Sequence, residues 1–242
     1  MKITLRVALA SLLSVATSVA ASDLPARSLA SKGPLVFSDD FTRTDLGAAW
    51  QSGTPTFTVS DGVLKGTQTR DEHGAVLGTK VGLPDGNVIL EIKFRFEGAK
   101  AIHVACDDKA FKGVHAGHIS RLTLTPTRIA LSDDREGVMR NDIYALRKSV
   151  EPAKKAEAQR LALDRSANFP LQLEVGRWYR LGLEIVGDEM RATIDDRPVA
   201  YLKSSGLNHP KKDDLRIQVW GREGHGLIDD LRIWAVESTR AK

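Results

Sequence analysis

The run Val88-Ile89-Leu90-Glu91-Ile92-Lys93-Phe94-Arg95-Phe96-Glu97 constrains the fold more than any other segment. Val88, Leu90, Ile92, Phe94 and Phe96 fall on one side of an extended chain. Glu91, Lys93, Arg95 and Glu97 fall on the other. A period of two over ten residues predicts a long strand with one buried and one wet face. Such a strand belongs in an antiparallel sheet that needs a second layer over its apolar side.

Further strand-like runs supply that layer. Thr56–Ser60 and Val63–Thr67 flank Asp61-Gly62, a pair that accepts positive φ and predicts a tight hairpin. Ala75–Val81, Ala101–Cys106, Ile119–Thr125 and Arg128–Leu131 continue the series. Trp178–Val186, Met190–Ile194, Val199–Leu202, Leu215–Trp220 and Leu227–Trp234 complete it. Gly187-Asp188 and Asp195-Asp196 mark turns between them. The predicted class is all-β, a two-sheet antiparallel sandwich. Residues 137–168 are the exception. Ile143, Leu146 and Val150 follow helical spacing, and Pro152 suits the first turn of a second helix. This helical insertion is expected either to cap one end of the sandwich or to wall a binding face.

The ends set the domain limits. Met1–Arg6 is short and basic, Val7–Val19 is apolar or small and uncharged, and small residues stand at Ser18-Val19-Ala20 and Val19-Ala20-Ala21. This predicts a signal peptide over residues 1–21 and a secreted or periplasmic protein. The apolar stretch is shorter than the ~20 residues a membrane span needs. Residues 22–34 read as a linker, 35–236 as the sandwich domain and 237–242 as a tail. Removing Lys2 and Arg6 lowers the formal charge from +4 to about +2, which gives no reason to expect a nucleic-acid partner. Cys106 is the only cysteine, so stability must come from packing. Its alternation with inward residues makes it a buried thiol.

Three polar clusters can carry chemistry. The densest is Asp107-Asp108, His115-Ala116-Gly117-His118 and Arg121, with His73 apart from it. The two histidines can act as acid and base, contact sugar hydroxyls, ligate zinc with Asp107 or His73, or simply be structural. The second is Asp133 and Asp134 at the end of a predicted strand: an acid and base, a calcium site or a capped turn. The third is Asp39-Asp40 with Asp229-Asp230, which meet if the first and last strands pair. Those four carboxylates give a second place for Ca²⁺; otherwise no cofactor is expected. Trp220, followed by a glycine-rich loop, is the tryptophan expected at a sugar-binding surface.

Several segments together resemble a known group. They are Phe37-Ser38-Asp39-Asp40-Phe41 with Leu46-Gly47-Ala48-Ala49-Trp50, and Phe57 through Gly66. Gly176-Arg177-Trp178-Tyr179-Arg180-Leu181 and Ile228-Asp229-Asp230-Leu231-Arg232-Ile233-Trp234 complete the set. The chain resembles concanavalin A-like jelly rolls, and among them the secreted bacterial 3-keto-disaccharide hydrolase domains, often labelled family 16 glycoside hydrolase-like. The resemblance implies a jelly roll acting on a carbohydrate or glycoside. The polar clusters and Trp220 described above then supply His115, His118 and Asp133 as expected catalytic groups, with His73, Asp107, Arg121, Asp134 and Trp220 around the substrate. The Glu-x-Asp-x-x-Glu motif of family 16 enzymes is absent, which argues against ordinary β-glucanase chemistry. A non-catalytic carbohydrate-binding or interaction module of the cell envelope, and a structural envelope protein, stand as alternatives.

Overall fold

The computed structural model describes residues 24–83 and 86–237, apart from 53 and 55; the expected signal peptide lies outside them. Alternating residues build two sheets. The back sheet contains β1 (Lys32–Asp39), β3 (Phe57–Ser60), β4 (Val63–Gly66), β6 (Val88–Glu97), β11 (Tyr179–Val186), β12 (Glu189–Ile194), β13 (Arg197–Lys203) and β15 (His225–Val236). Its order is β13-β12-β11-β6-β15-β4-β3, and β1 pairs with the second half of β15. The front sheet contains β2 (Trp50–Gln51), β5 (Ala75–Lys80), β7 (Ala101–Asp107), β8 (His118–Thr125), β9 (Arg128–Asp133), β10 (Ser166–Pro170) and β14 (Asp214–Trp220). Its order is β10-β9-β8-β7-β14-β5-β2. Every named strand pair is antiparallel.

The core lies between the sheets. Leu90, Ile92, Phe94 and Phe96 of β6 meet Ile102, Val104, Leu122, Leu124, Ile217 and Val219 in one buried cluster. Each such side chain contributes roughly 1.5–3 kcal/mol by leaving water. Phe94 stacks on Tyr179 across the β6–β11 pair, with ring centroids 5.8 Å apart. Cys106 is buried here, and burial pushes its thiol up to about 11, which makes it a poor nucleophile. Asp61 (φ 54°) and Gly62 (φ 74°) form the expected hairpin turn.

Two expectations need correction. The helical insertion is narrower than 137–168. Helix α1 covers Asn141–Lys148 and α2 covers Pro152–Leu161, while Ser166 already opens β10. That strand pairs with β9 from Ser166 to Pro170 and buries Phe169, so it covers what would otherwise be a bare sheet edge. Residues 24–34 are also no free linker. Arg191 donates from Nε to the Pro25 carbonyl (2.8 Å), and Leu29 N–H donates to Glu184 Oε2 (2.6 Å). Arg191 and Glu184 are themselves a buried ion pair at 3.0 Å on adjacent back-sheet strands. Strand β1 then begins at Lys32.

Candidate functional site

Register places the polar residues of the front sheet in rows on its outer face. Arg216 stands opposite Gly78 and Ala105, Ala105 opposite Arg121, and Arg121 opposite Ser132. The next row is Val76, Gln218, His103, Thr123 and Ala130. At one end of the strands Asp107 stands opposite both Asp214 and His118. A register shift after Cys106 produces the last pairing. The β7–β8 loop folds back tightly enough for Asp108 N–H to donate to Gly117 O at 2.8 Å. Gly117 has φ +80°, and a Cβ there would lie 2.5 Å from the Asp108 carbonyl, so a side chain is excluded.

At this end of the face is an acid–imidazole pair. His118 Nδ1 lies 2.9 Å from Asp107 Oδ1, and Arg216 Nε lies 2.9 Å from Asp107 Oδ2. A carboxylate against Nδ1 fixes the proton there and leaves Nε2 as the basic lone pair. Beside it, Arg121 Nη2 donates to Asp134 Oδ1 at 2.9 Å. Burial raises the Asp134 pKa despite the Arg121 and His118 charges. The exposures sort these groups by role. The side chains of Asp107, Asp134 and Asp214 are 0%, 1% and 6% exposed, while His118, Arg121 and Arg216 reach 16%, 21% and 21%. The acids form the floor, and the groups a ligand can touch are an imidazole and two guanidiniums.

His115 joins this centre. Its ring centroid is 6.3 Å from that of His118, and it stacks on Tyr144 of α1 at 3.9 Å and 8°. His115 N–H donates to Met139 O (2.7 Å), and Asn141 N–H to Gly113 O (3.2 Å), so the helical insertion walls this side of the face. Burial, then the charges of His118, Arg147 and Lys148, lower the His115 pKa and keep it neutral near pH 7.

The other predicted residues fall elsewhere. Asp133 is no acid–base candidate. Its Oδ2 accepts from Ser204 Oγ (2.5 Å) and Gly206 N–H (2.9 Å), and its Oδ1 from Glu136 N–H (3.0 Å). It is a buried staple under the turn at Ser205–Leu207. Asp107 and Asp134, expected to touch substrate, are instead the buried partners of His118 and Arg121. Trp220 is half-buried, packed on Gly74 and tilted against His103 at 5.9 Å, rather than a free platform. His73 lines an adjoining cleft of about 580 Å³ along β2 and β5, which Arg70, Lys109, Asp214 and Arg216 also line. The Ca²⁺ route closes as well. Asp39 accepts from Arg43, Trp50 Nε1 and Phe41 N–H, and Asp230 pairs with Lys93. Among the described residues no three acidic, histidine or cysteine side chains are grouped to hold a metal, which applies equally to zinc at His115 and His118.

Sequence reasoning missed Arg216, Gln218 and His103. Each sits at an outward position of an alternating strand, which marks it as wet but not as part of a site. His103 is held neutral: burial, then the Arg121 charge, bring its pKa down to about 4.

The fold is that of concanavalin A-like jelly rolls. The laminarinase from Rhodothermus marinus superposes with a TM-score of 0.57 at 13% identity, covering 87% of this chain and 100% of that one. SCLam, a non-specific endo-β-1,3(4)-glucanase from family GH16, gives 0.53 at 13% identity over 84% and 91%. The apo Crh5 transglycosylase gives 0.55 at 10% identity over 86% and 90%. No family model matches the chain, and neither does any curated protein sequence. At such identities the likeness is one of fold, and chemistry has to be read from the site.

Proposed function

We propose that the chain is a carbohydrate-active protein whose outer front-sheet face binds a glycoside and cleaves one oxidised to the ketone at C3. One observation carries the reading: the reachable groups are an imidazole, two guanidiniums and the Lys109 ammonium, and the carboxylates that hold them are on the floor. Ordinary glycosidases use two reachable carboxylates astride the scissile bond. A 3-keto-glycoside needs neither. Its C2 hydrogen lies α to a carbonyl, so one base and an oxyanion stabiliser suffice.

In this scheme His118 Nε2 takes the C2 proton. Negative charge develops on the C3 oxygen, which Arg121 and Arg216 face. The C1=C2 double bond forms as the C1–O bond breaks, and the His118 imidazolium returns its proton to the departing sugar oxygen. Water then adds its hydroxyl to C1 and, through the imidazoles, its proton to C2. Asp107 and Asp134 act as positioning residues for His118 and Arg121. Jelly-roll neighbours named as laminarinase, glucanase and transglycosylase support a glycan ligand. Export is part of the same proposal and rests on residues 1–21. Among the described residues no helix is long and apolar enough to cross a membrane.

The test offers 3-keto disaccharides and their unoxidised parents in D₂O. Cleavage confined to the keto substrates, with deuterium entering at C2, is expected. Equal cleavage of the parents, or cleavage without deuterium, overturns it. The missing reachable carboxylates also favour a second reading, a non-catalytic glycan-binding module. Binding of both substrates with cleavage of neither selects that reading.

A further inference from the structure

The cations around the imidazole pair are distributed unevenly, and we infer from them that the glycan taken by this face is anionic, bearing uronate carboxylates or sulfate esters. The inference rests on the glycan reading above and adds the charge of the substrate.

On one side is the cleft along β2 and β5. Its lining presents Arg70, Lys109 and Arg216 beside the hydroxyls of Ser52 and Thr69, and Asp214 is its only carboxylate. Lys109 Nζ (2.5 Å) and Arg216 Nη2 (3.4 Å) converge on that one group. Arg70 has no carboxylate partner among the described residues. Its neighbour Asp71 pairs with Arg222 instead. The cleft's volume is that of a small-ligand site, enough for sugar units rather than an ion alone.

On the other side is the helical insertion, whose charges divide sharply. Three of them are neutralised locally: Lys154 with Glu151 at 2.6 Å, Arg160 with Glu157 at 2.6 Å, Arg140 with Asp142 at 2.8 Å. Arg147 and Lys148 have no carboxylate partner among the described residues. They lie 5.2 Å and 5.7 Å from the centroid of Tyr144, the ring stacked on His115. Lys155 and Arg165 also lack a carboxylate partner among the described residues, but only Arg147 and Lys148 lie against the Tyr144 ring that stacks on His115. Buried Asp107 and Asp134 already hold Arg216 and Arg121. The surplus positive charge thus sits on the two flanks, where the parts of a glycan on either side of the reacting bond would lie. Uncompensated cations beside a groove raise the local concentration of anions, and guanidinium matches carboxylate and sulfate oxygens in pairs.

The test measures binding of polygalacturonate against its methyl ester, and of dextran sulfate against dextran, with an oligonucleotide as a non-sugar polyanion and a mixed glycan array. At least tenfold preference for one charged member over its neutral partner is expected, and which pair shows it separates carboxylate from sulfate. Arg70→Gln with Lys148→Gln should cut that affinity about tenfold with the melting temperature unchanged. Lys32→Gln with Lys203→Gln, on the back sheet, should change it less than twofold. Three results overturn the inference: array binding confined to neutral glycans, equal losses in both double variants, or oligonucleotide binding as tight as that of the glycan. The first leaves the glycan reading standing, whereas an array with no binding at all removes both.

Discussion

Asp107 and Asp108 are neighbours in the chain, and each holds a histidine at about 3 Å, yet the two pairs do different things. Asp107 holds His118 Nδ1 on the open front face at 2.9 Å. Asp108 holds His209 Nε2 at 3.0 Å, and both side chains are 8% exposed. His209 is covered by Phe111 at 5.0 Å. The second pair ties the β7–β8 loop to the segment that enters β14, and Asp108 Oδ1 also accepts from Ala110 N–H at 2.9 Å. Close by, buried Lys212 donates to Gly86 O and His209 O, both at 2.7 Å, and burial lowers its pKa to about 8. Under the proposed function the same kind of pair serves as a reagent where one imidazole edge is left open, and it is a staple where both are enclosed.

The largest expected effect separates the pairs directly. His118→Asn should reduce turnover of a 3-keto-disaccharide by 10²–10⁴-fold with little change in melting temperature. His209→Asn should leave turnover within about threefold. It should destabilise the fold by about 1–3 kcal/mol, read by urea titration, because Asp108 loses a buried partner. If His118→Asn unfolds the protein, or His209→Asn abolishes turnover, the division of roles is wrong. Asp107→Asn should do both, since it alters the His118 tautomer and removes the fully buried one of Arg216's two carboxylate partners. An Asp107→Asn protein with normal turnover would remove Asp107 as a positioning residue.

A third imidazole sharpens the contrast through pH. Burial lowers the His103 pKa from 6.5 to about 4, so the folded state binds fewer protons than the unfolded state between those values. Wild-type stability should therefore fall as pH drops from 6.5 towards 4. His103→Gln should flatten that slope by on the order of 2 kcal/mol. Unchanged slopes would show that His103 titrates freely.

The smallest effect belongs to Asp108. Burial works to raise its pKa, and the hydrogen bond from His209, the Ala110 N–H and the Lys211 charge outweigh burial and lower it. A lowered carboxyl stabilises the fold above its ordinary value of 3.8 and loses that contribution as pH falls through the folded value. Below pH 4 the wild type should lose more stability than Asp108→Asn does, read by urea titration. Parallel acid limbs would assign the stapling to the neutral form.

Much of the framework is legible in the chain. The period of Val88–Glu97 survives as β6, and Asp61-Gly62 closes its hairpin, because alternation and positive φ are local properties. Strand β10 is illegible because Ser166–Pro170 is a short edge strand that follows a helix and contains a proline. The docking of residues 25–29 is equally hidden, since it depends on Glu184 and Arg191, more than 150 positions away.

The candidate site divides along the same line. His115, His118, Asp107 and Arg121 stood out because they crowd into fifteen residues, and the β7–β8 hairpin brings them together. Arg216, about a hundred positions later, joins them only through the β7–β14 pairing. Asp133 and Asp134 look alike in sequence. Yet one side chain points to Ser204 and Gly206 and the other to Arg121, because β9 ends at Asp133 and the chain turns at Asp134. By itself the sequence determined most of the strands, the Asp61-Gly62 hairpin turn, the two-layer class and which residues are able to move protons. Tertiary structure alone decided which of those residues keep an open edge. Burial and partner choice are set by strand register and by segments far apart in the chain, and no local pattern encodes either.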